Sequence, residues 1–214
     1  MAGRGRFITL EGGEGVGKST LASALEARLT VRGRKIVRTR EPGGTRGAEA
    51  IRGLILNPPV DVSGWEPIAE TLLFYAARTD HLDKLIRPAL QAGSWVICDR
   101  FSDSTRAYQA AAGHVASEHI ETLDRICVGD TTPDLTLILD LPLSAARDRM
   151  TARANDKDAI ESRVQSYHEA VHKAFLDIAR ANPQRCVVLD ASLTPATLAD
   201  AAMTAIDERL GGDH

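Results

Sequence analysis

Gly12-Gly13-Glu14-Gly15-Val16-Gly17-Lys18-Ser19 fits the pattern G-x-x-x-x-G-K-[ST], and its context decides how the chain is read. Phe7-Ile8-Thr9-Leu10 before it has the length and apolar character of a buried strand. Leu21, Ala24, Leu25, Ala27 and Leu29 after it form a helical stripe. Strand, glycine loop and helix in that order make a phosphate cradle. The glycines let successive backbone N–H groups converge on phosphate oxygens, and the helix N-terminus adds partial positive charge. Lys18 is placed to reach β- and γ-phosphates, and the Ser19 hydroxyl to ligate Mg²⁺. Gly12, Gly13, Glu14, Gly15, Val16, Gly17, Lys18, Ser19 and Thr20 are therefore the predicted nucleoside triphosphate site. A plain glycine turn is the competing reading. The loop leaves open what is done with the triphosphate.

On either side of this unit, apolar runs alternate with helical stripes. Candidate strands are Phe7–Leu10, Ile36–Thr39, Trp95–Cys98, Leu135–Leu139 and Cys186–Leu189. Candidate helices are Ser19–Arg32, Ala48–Leu56, Pro67–Gln91, Ser102–Ala112, Ser117–Val128, Ser144–Ala154, Ala159–Ala181 and Pro195–Leu210, with Gly33 and Gly93 as stops. The alternation predicts an α/β fold of the P-loop NTPase type, five parallel strands flanked by helices on both faces. No repeat, low-complexity stretch or dividing linker interrupts residues 1–214, so one domain is expected. Asn57–Gly64 reads as a surface loop, and Asn155-Asp156-Lys157-Asp158 as the tip of a mobile flap within a lid at about 147–163.

Composition narrows the partners. A net charge of −3 gives no reason to expect a nucleic-acid polyanion. Cys98, Cys127 and Cys186 are odd in number and form no C-x-x-C pair, which fits reduced thiols and not a zinc site. The basic start Met1-Ala2-Gly3-Arg4-Gly5-Arg6 leads into the first strand without a signal-peptide core, and no apolar run approaches the ~18 residues that span a membrane. A cytoplasmic protein with no membrane partner is expected.

In open parallel sheets, ligands bind beyond the carboxyl ends of the strands. Those ends deliver the glycine loop, then Arg40-Glu41-Pro42-Gly43-Gly44-Thr45, then Asp99-Arg100 with Ser104, Tyr108 and Gln109, and finally Asp140. Singly, Asp99-Arg100 also fits a strand-capping ion pair, and Pro42-Gly43-Gly44 a mere turn. Together they fit phosphoryl transfer between two nucleotides. The acceptor oxygen of a monophosphate is already anionic, so no strong general base is needed; the obstacle is gathering about six negative charges in line. Such a site is rich in arginine, poor in His or Cys nucleophiles, and covered by a water-excluding flap. Phe74 and Arg78, four apart on one helical face, can offer a ring and a donor fork to a base, although Phe74 also fits a core position.

These segments resemble the thymidylate kinases, the P-loop enzymes that convert dTMP to dTDP. The matching pieces are Glu11 to Ser19, Thr39 to Thr45, Leu73-Phe74-Tyr75-Ala76-Ala77-Arg78, Val96 to Gln109, and Pro133 to Asp140. The resemblance implies ATP as donor, Mg²⁺ as cofactor, dTMP as acceptor and a homodimer. It implies that Phe74 stacks on thymine, Arg78 bonds its O4, and Ser104, Thr105 and Gln109 approach the remaining base edge. Tyr108 would crowd the 2′ position, Glu14 would contact the acceptor's sugar or metal-linked water, and Arg52 would reach the acceptor. Arg100 would bridge the two phosphates, with Asp99 beside it for Mg²⁺ together with Ser19. Because Glu14-Gly15-Val16 holds no arginine, the resemblance assigns catalytic charge to lid residues Arg149 and Arg153, alongside Lys18, Arg100 and Asp99. The family's lid commonly reads Asp-Arg-x-Glu, whereas this chain reads Asp158-Ala159-Ile160-Glu161; Arg163 is the available substitute.

Two alternatives stay open on the residues. One is a kinase for another deoxynucleotide or a nucleoside. The other is a regulatory P-loop NTPase switch: Asp61-Val62-Ser63-Gly64 matches D-x-x-G, but no buried strand leads into it and no Asn-Lys-x-Asp motif exists.

Overall fold

The computed structural model describes residues 4–58, 64–152 and 164–211. Five strands, β1 (Phe7–Glu11), β2 (Ile36–Arg40), β3 (Trp95–Asp99), β4 (Leu135–Asp140) and β5 (Cys186–Asp190), form one parallel sheet in the order β2-β3-β1-β4-β5. Central β1 is buried along its whole length, while the edge strand β2 is half-buried to exposed. Each strand runs one residue past its predicted apolar end, to Glu11, Arg40, Asp99, Asp140 and Asp190. Side-chain polarity changes before the backbone ladder ends; the ladder still pairs Leu10 with Asp99 and Glu11 with Ile138. That extra residue brings charged side chains to the sheet's carboxyl edge.

Strand alternation divides the core into two layers. On one face, Ile8, Leu10, Ile97, Leu135, Leu137 and Leu139 meet α1 (Lys18–Val31) and α9 (Pro195–Leu210) through Leu21, Leu25, Leu29, Leu198, Ala202 and Ile206. On the other, Phe7, Val96 and Cys98 meet Tyr75, Leu82, Ile86 and Phe101, while Ile138 meets Val171 and Phe175. Thr9 and Thr136 also lie buried, and each satisfies the other's hydroxyl at 2.9 Å. Between β2 and β3 run α2 (Arg46–Leu56), α3 (Pro67–His81) and α4 (Arg87–Gln91). The single helix expected over Pro67–Gln91 is instead α3, a π-helical turn at Leu82–Ile86, and α4. Pro88 lacks an N–H for the regular ladder, which accounts for the break just before it. Ser102–Ala112 likewise divides into α5 (Ser102–Thr105) and a π-helical stretch at Arg106–Ala112. It packs against α8 (Gln165–Ala181) through Ala107, Tyr108, Ala112, Val171 and Phe175, so it is internal and not a free face for a second subunit. The remaining helices are α6 (Ser117–Cys127) and α7 (Leu143–Thr151). Gly33 and Gly93 follow their helices at φ +78° and +77°, as the stop signals predict. Cys98 and Cys186 are buried, Cys127 is half-buried, and all three are free thiols. No helix among the described residues is long and apolar enough to cross a membrane.

Leu137 is fully buried in the layer shared with α1 and α9. Leu137→Ala is expected to lower unfolding free energy by about 2–5 kcal/mol, read as a shift in urea midpoint at unchanged slope.

Candidate active site

The phosphate loop leaves β1 and closes onto α1, as the motif predicts. Gly12 sits at φ +129°, and a Cβ there would lie 2.6 Å from the Leu139 carbonyl oxygen. Gly15 sits at φ +72° with no room for a side chain, because α7 presses Ala146 O to within 2.7 Å of where its Cβ would be. Val16 points into the core, which leaves only its backbone for the cradle. Lys18 Nζ donates to Gly13 O at 2.6 Å and Gly12 O at 3.2 Å. Burial pulls its pKa down to about 8, and Arg100 adds to this against the opposing pull of Glu14 and Asp99. Ser19 Oγ donates to Asp99 Oδ2 at 2.8 Å, so the two predicted metal ligands meet across the loop mouth. Their hard oxygens suit Mg²⁺. Thr20 follows, exposed, in the first turn of α1.

Arg100 joins this loop to everything beyond it. Its backbone adopts φ +71°, a left-handed conformation costing a non-glycine residue about 1–3 kcal/mol. Its N–H is pinned to Leu10 O at 2.9 Å. The guanidinium donates to Gly12 O, Ser104 Oγ and Tyr108 Oη, each at 3.0 Å, and to Glu14 Oε1 at 2.5 Å. It also lies over the Tyr108 ring, 4.9 Å from the centroid. Burial opposes charge on Glu14, but Arg100 and then Lys18 outweigh it, holding the carboxyl at about 2. For Arg100, too, burial is overcome by Glu14, and its pKa is raised.

Beside Arg100 opens a cleft of about 570 Å³, its mouth included, into which Phe74, Arg78, Ser104, Thr105, Tyr108 and Gln109 converge with Arg52 and Glu14. Every acceptor-site residue read from the sequence lines it. Arg78 is more deeply buried than the sequence suggests, at 2% exposure. Its Nε donates to Glu41 Oε2 at 2.8 Å and its Nη2 to Thr105 Oγ1 at 2.9 Å. Tyr75 and Phe101 bracket it, with ring centroids 4.9 and 5.3 Å away. Burial resists the charge and Glu41 restores it, so its pKa is raised. Nη1 has no hydrogen-bond partner among the described residues. A buried guanidinium N–H left unpaired is costly, and a ligand acceptor in the cleft would satisfy it. Arg52 Nη1 donates to Pro42 O at 3.0 Å, and Gln109 Nε2 to Glu70 Oε1 at 2.9 Å.

Four residues behind the site have no role that the sequence reading assigns. Glu41 holds Arg78 and, through Oε1, His81 Nδ1 at 3.2 Å. Phe101 forms a wall of the cleft. Glu70 was legible in principle, since it stands four residues before Phe74 and eight before Arg78 on one helical stripe. Glu11 ends an otherwise apolar strand and accepts from Phe101 N at 2.8 Å and Ser104 Oγ at 2.6 Å. Burial, then Asp103, lifts its pKa to about 7 despite Ser104 and Arg100.

Of the lid residues, Arg149 on α7 donates to Ala191 O at 3.1 Å. Arg153, the Asn155–Asp158 tip, Ala159 and Arg163 lie outside the described residues, as does Asp61–Ser63.

A glycine cradle with its lysine after a central parallel strand, and an arginine that links it to a neighbouring cleft, define the P-loop nucleotide-kinase class. The family model described as thymidylate kinase matches residues 10–201, and the chain belongs to that family. A thymidylate kinase of Bradyrhizobium sp. (strain BTAi1) is 49% identical over 210 residues, spanning 97% of this chain and 92% of the relative. That of Caulobacter vibrioides is 46% identical over 208 residues, spanning 97% and 99%. The crystal structure of the Ehrlichia chaffeensis thymidylate kinase aligns with a TM-score of 0.77 at 31% identity, covering 95% of this chain and 99% of that one.

Between pH 4.5 and about 7, native Glu11 keeps a proton that the unfolded chain has released. The stability this group contributes therefore falls as pH rises through that window and levels off above it, by roughly 3 kcal/mol in all. Glu11→Gln is expected to flatten this slope, measured as urea midpoints at pH 5 and pH 7.5.

Proposed function

We infer that the chain transfers the γ-phosphoryl group of ATP to dTMP, giving dTDP and ADP. The observation that carries this reading is the buried Nη1 of Arg78, without a hydrogen-bond partner among the described residues, beside Phe74 in a cleft whose near wall is Arg100. An N–H aimed at a base carbonyl and a ring to stack on suit thymine; an arginine bonded to the phosphate loop suits the acceptor phosphate. Membership of the thymidylate kinase family supports the same substrate pair.

The chemistry assigned to these residues is positioning and charge neutralisation. A monophosphate oxygen is already nucleophilic, so the site needs no base, only alignment with the γ-phosphorus. Gly12 to Thr20 bind the triphosphate, with Lys18 on its outer oxygens. Arg100 neutralises the acceptor phosphate and keeps it close to the loop. Ser19 and Asp99 would hold Mg²⁺, which when bound screens charge on the triphosphate oxygens. Glu14 and Tyr108 face the sugar, and Tyr108 Oη crowds a 2′-hydroxyl. Arg149 and Arg153 supply further positive charge from the lid, with Arg163 in place of the arginine absent at Ala159. A cytoplasmic homodimer completes the reading; Ile68 and Leu72, outward on α3 at 45% and 51% exposure, support a subunit contact there.

ADP release measured with dTMP, dUMP, dCMP, dGMP and thymidine as acceptors tests the assignment. Efficient turnover of dTMP is expected, and turnover of another acceptor without dTMP would overturn it. Arg100→Ala is expected to lower kcat by roughly 10²–10³-fold, as loss of preorganised charge does. Arg149→Ala and Arg153→Ala should each lower kcat; near-normal values in both would remove the lid from the mechanism.

A further inference from the structure

We propose that Glu70 sets base specificity by fixing which end of the Gln109 amide faces the acceptor. The proposal rests on the dTMP reading and adds a residue that touches neither substrate nor phosphate. Gln109 and Glu70 are 3% and 7% exposed, and Gln109 Nε2 donates to Glu70 Oε1 at 2.9 Å. A primary amide presents a donor at one end and an acceptor at the other, and the two ends are nearly equal in shape. Packing alone therefore cannot choose between them. A carboxylate offers only lone pairs, so it accepts the NH₂ and repels the carbonyl. Gln109 Oε1 is thereby turned from Glu70 toward the cleft that Gln109 lines, and no described residue donates to it.

The second half of the pattern comes from Arg78, whose Nη1 is a buried donor with no partner among the described residues. Together the two side chains offer one donor and one acceptor. A thymine or uracil edge answers with an acceptor at O4 and a donor at N3–H. A cytosine edge carries NH₂ at position 4 and a lone pair at N3, so it would meet like against like at both points. Glu70 stands on the same α3 stripe as Phe74 and Arg78, so one helix face carries the ring, the donor and the residue that orients the acceptor. Glu70 is thus a positioning residue for the imide edge. It distinguishes dTMP from dCMP and does not distinguish dTMP from dUMP.

The test compares kcat/KM for dTMP, dUMP and dCMP in the intact enzyme, in Glu70→Gln, in Gln109→Ala and in the double variant. Glu70→Gln can donate as well as accept, so it releases the amide. The dTMP/dCMP ratio is expected to fall about tenfold, carried by KM for dTMP more than by kcat, with dTMP/dUMP unchanged. In the Gln109→Ala background, Glu70→Gln should produce no further fall, because the residue acts only through that amide. Glu70→Asp withdraws the carboxylate by one methylene, gives the same fall, and serves where Glu70→Gln does not fold. A dTMP/dCMP ratio within twofold of the parent in the folded variant overturns the proposal, as does an equal fall in the Gln109→Ala background. Failure of the parent enzyme on dTMP itself would instead remove the substrate reading and this inference with it.

Discussion

The guanidinium of Arg100 is bonded at once to the phosphate loop, through Gly12 O and Glu14, and to the acceptor side, through Ser104 and Tyr108. The Tyr108 hydroxyl also crosses between the halves, donating to Glu14 Oε1 at 3.1 Å, but Arg100 makes four such bonds. The position demands a left-handed backbone just past β3, a conformation a side-chain-bearing residue adopts only when its surroundings force it. Two bonds supply the force. Arg100 N is held by Leu10 O in the continuing ladder, and the next residue, Phe101, donates its N–H to Glu11. The strain and its restraint both lie where two anionic substrates would have to be brought together.

Buried positive charge is the recurring cost of such a site, and the chain meets it with carboxylates. Arg100 has Glu14, and Arg78 has Glu41. Each pair leaves part of its guanidinium for something else: Arg100 also holds backbone and hydroxyl groups, and Arg78 keeps Nη1 without a partner among the described residues. Removing Glu41 would strand the buried Arg78, an effect of about 3–5 kcal/mol, whereas Arg100 is 15% exposed and still reaches solvent. Behind them Glu11 has no cation bonded to it among the described residues. Burial, then Asp103, pushes it up to about 7, against the hydroxyl and the backbone N–H that it accepts and the nearby charge of Arg100.

The residues that read clearly in the sequence are those whose chemistry depends on local order. The strand, loop and helix around Gly12–Ser19 lie within one short segment, and the spacing that brings Phe74 near Arg78 is a property of any helix. Strand ends were short by one residue each, because polarity changes before hydrogen bonding stops. The long third helix broke where Pro88 interrupts the ladder, and Ser102–Ala112 proved to be covered by α8, since amphipathic pattern alone does not say what a face packs against. The roles of Glu11, Glu41 and Phe101 are not legible for a related reason: each acts on a residue far away in the chain, and nothing beside it in sequence records the partner.

By itself, then, the order of amino acids determined the parallel α/β class, the phosphate loop and the inventory of arginines, because periodicity and loop glycines express constraints within a few residues. Only the tertiary structure decided that Arg78 is buried with Nη1 unpaired among the described residues, that Ser19 meets Asp99, and that Gln109 donates to Glu70. Those outcomes depend on which distant carboxylate or hydroxyl reaches each side chain. A charge can be read from a letter, but its burial and its partner come from strands and helices that pack together across more than a hundred residues.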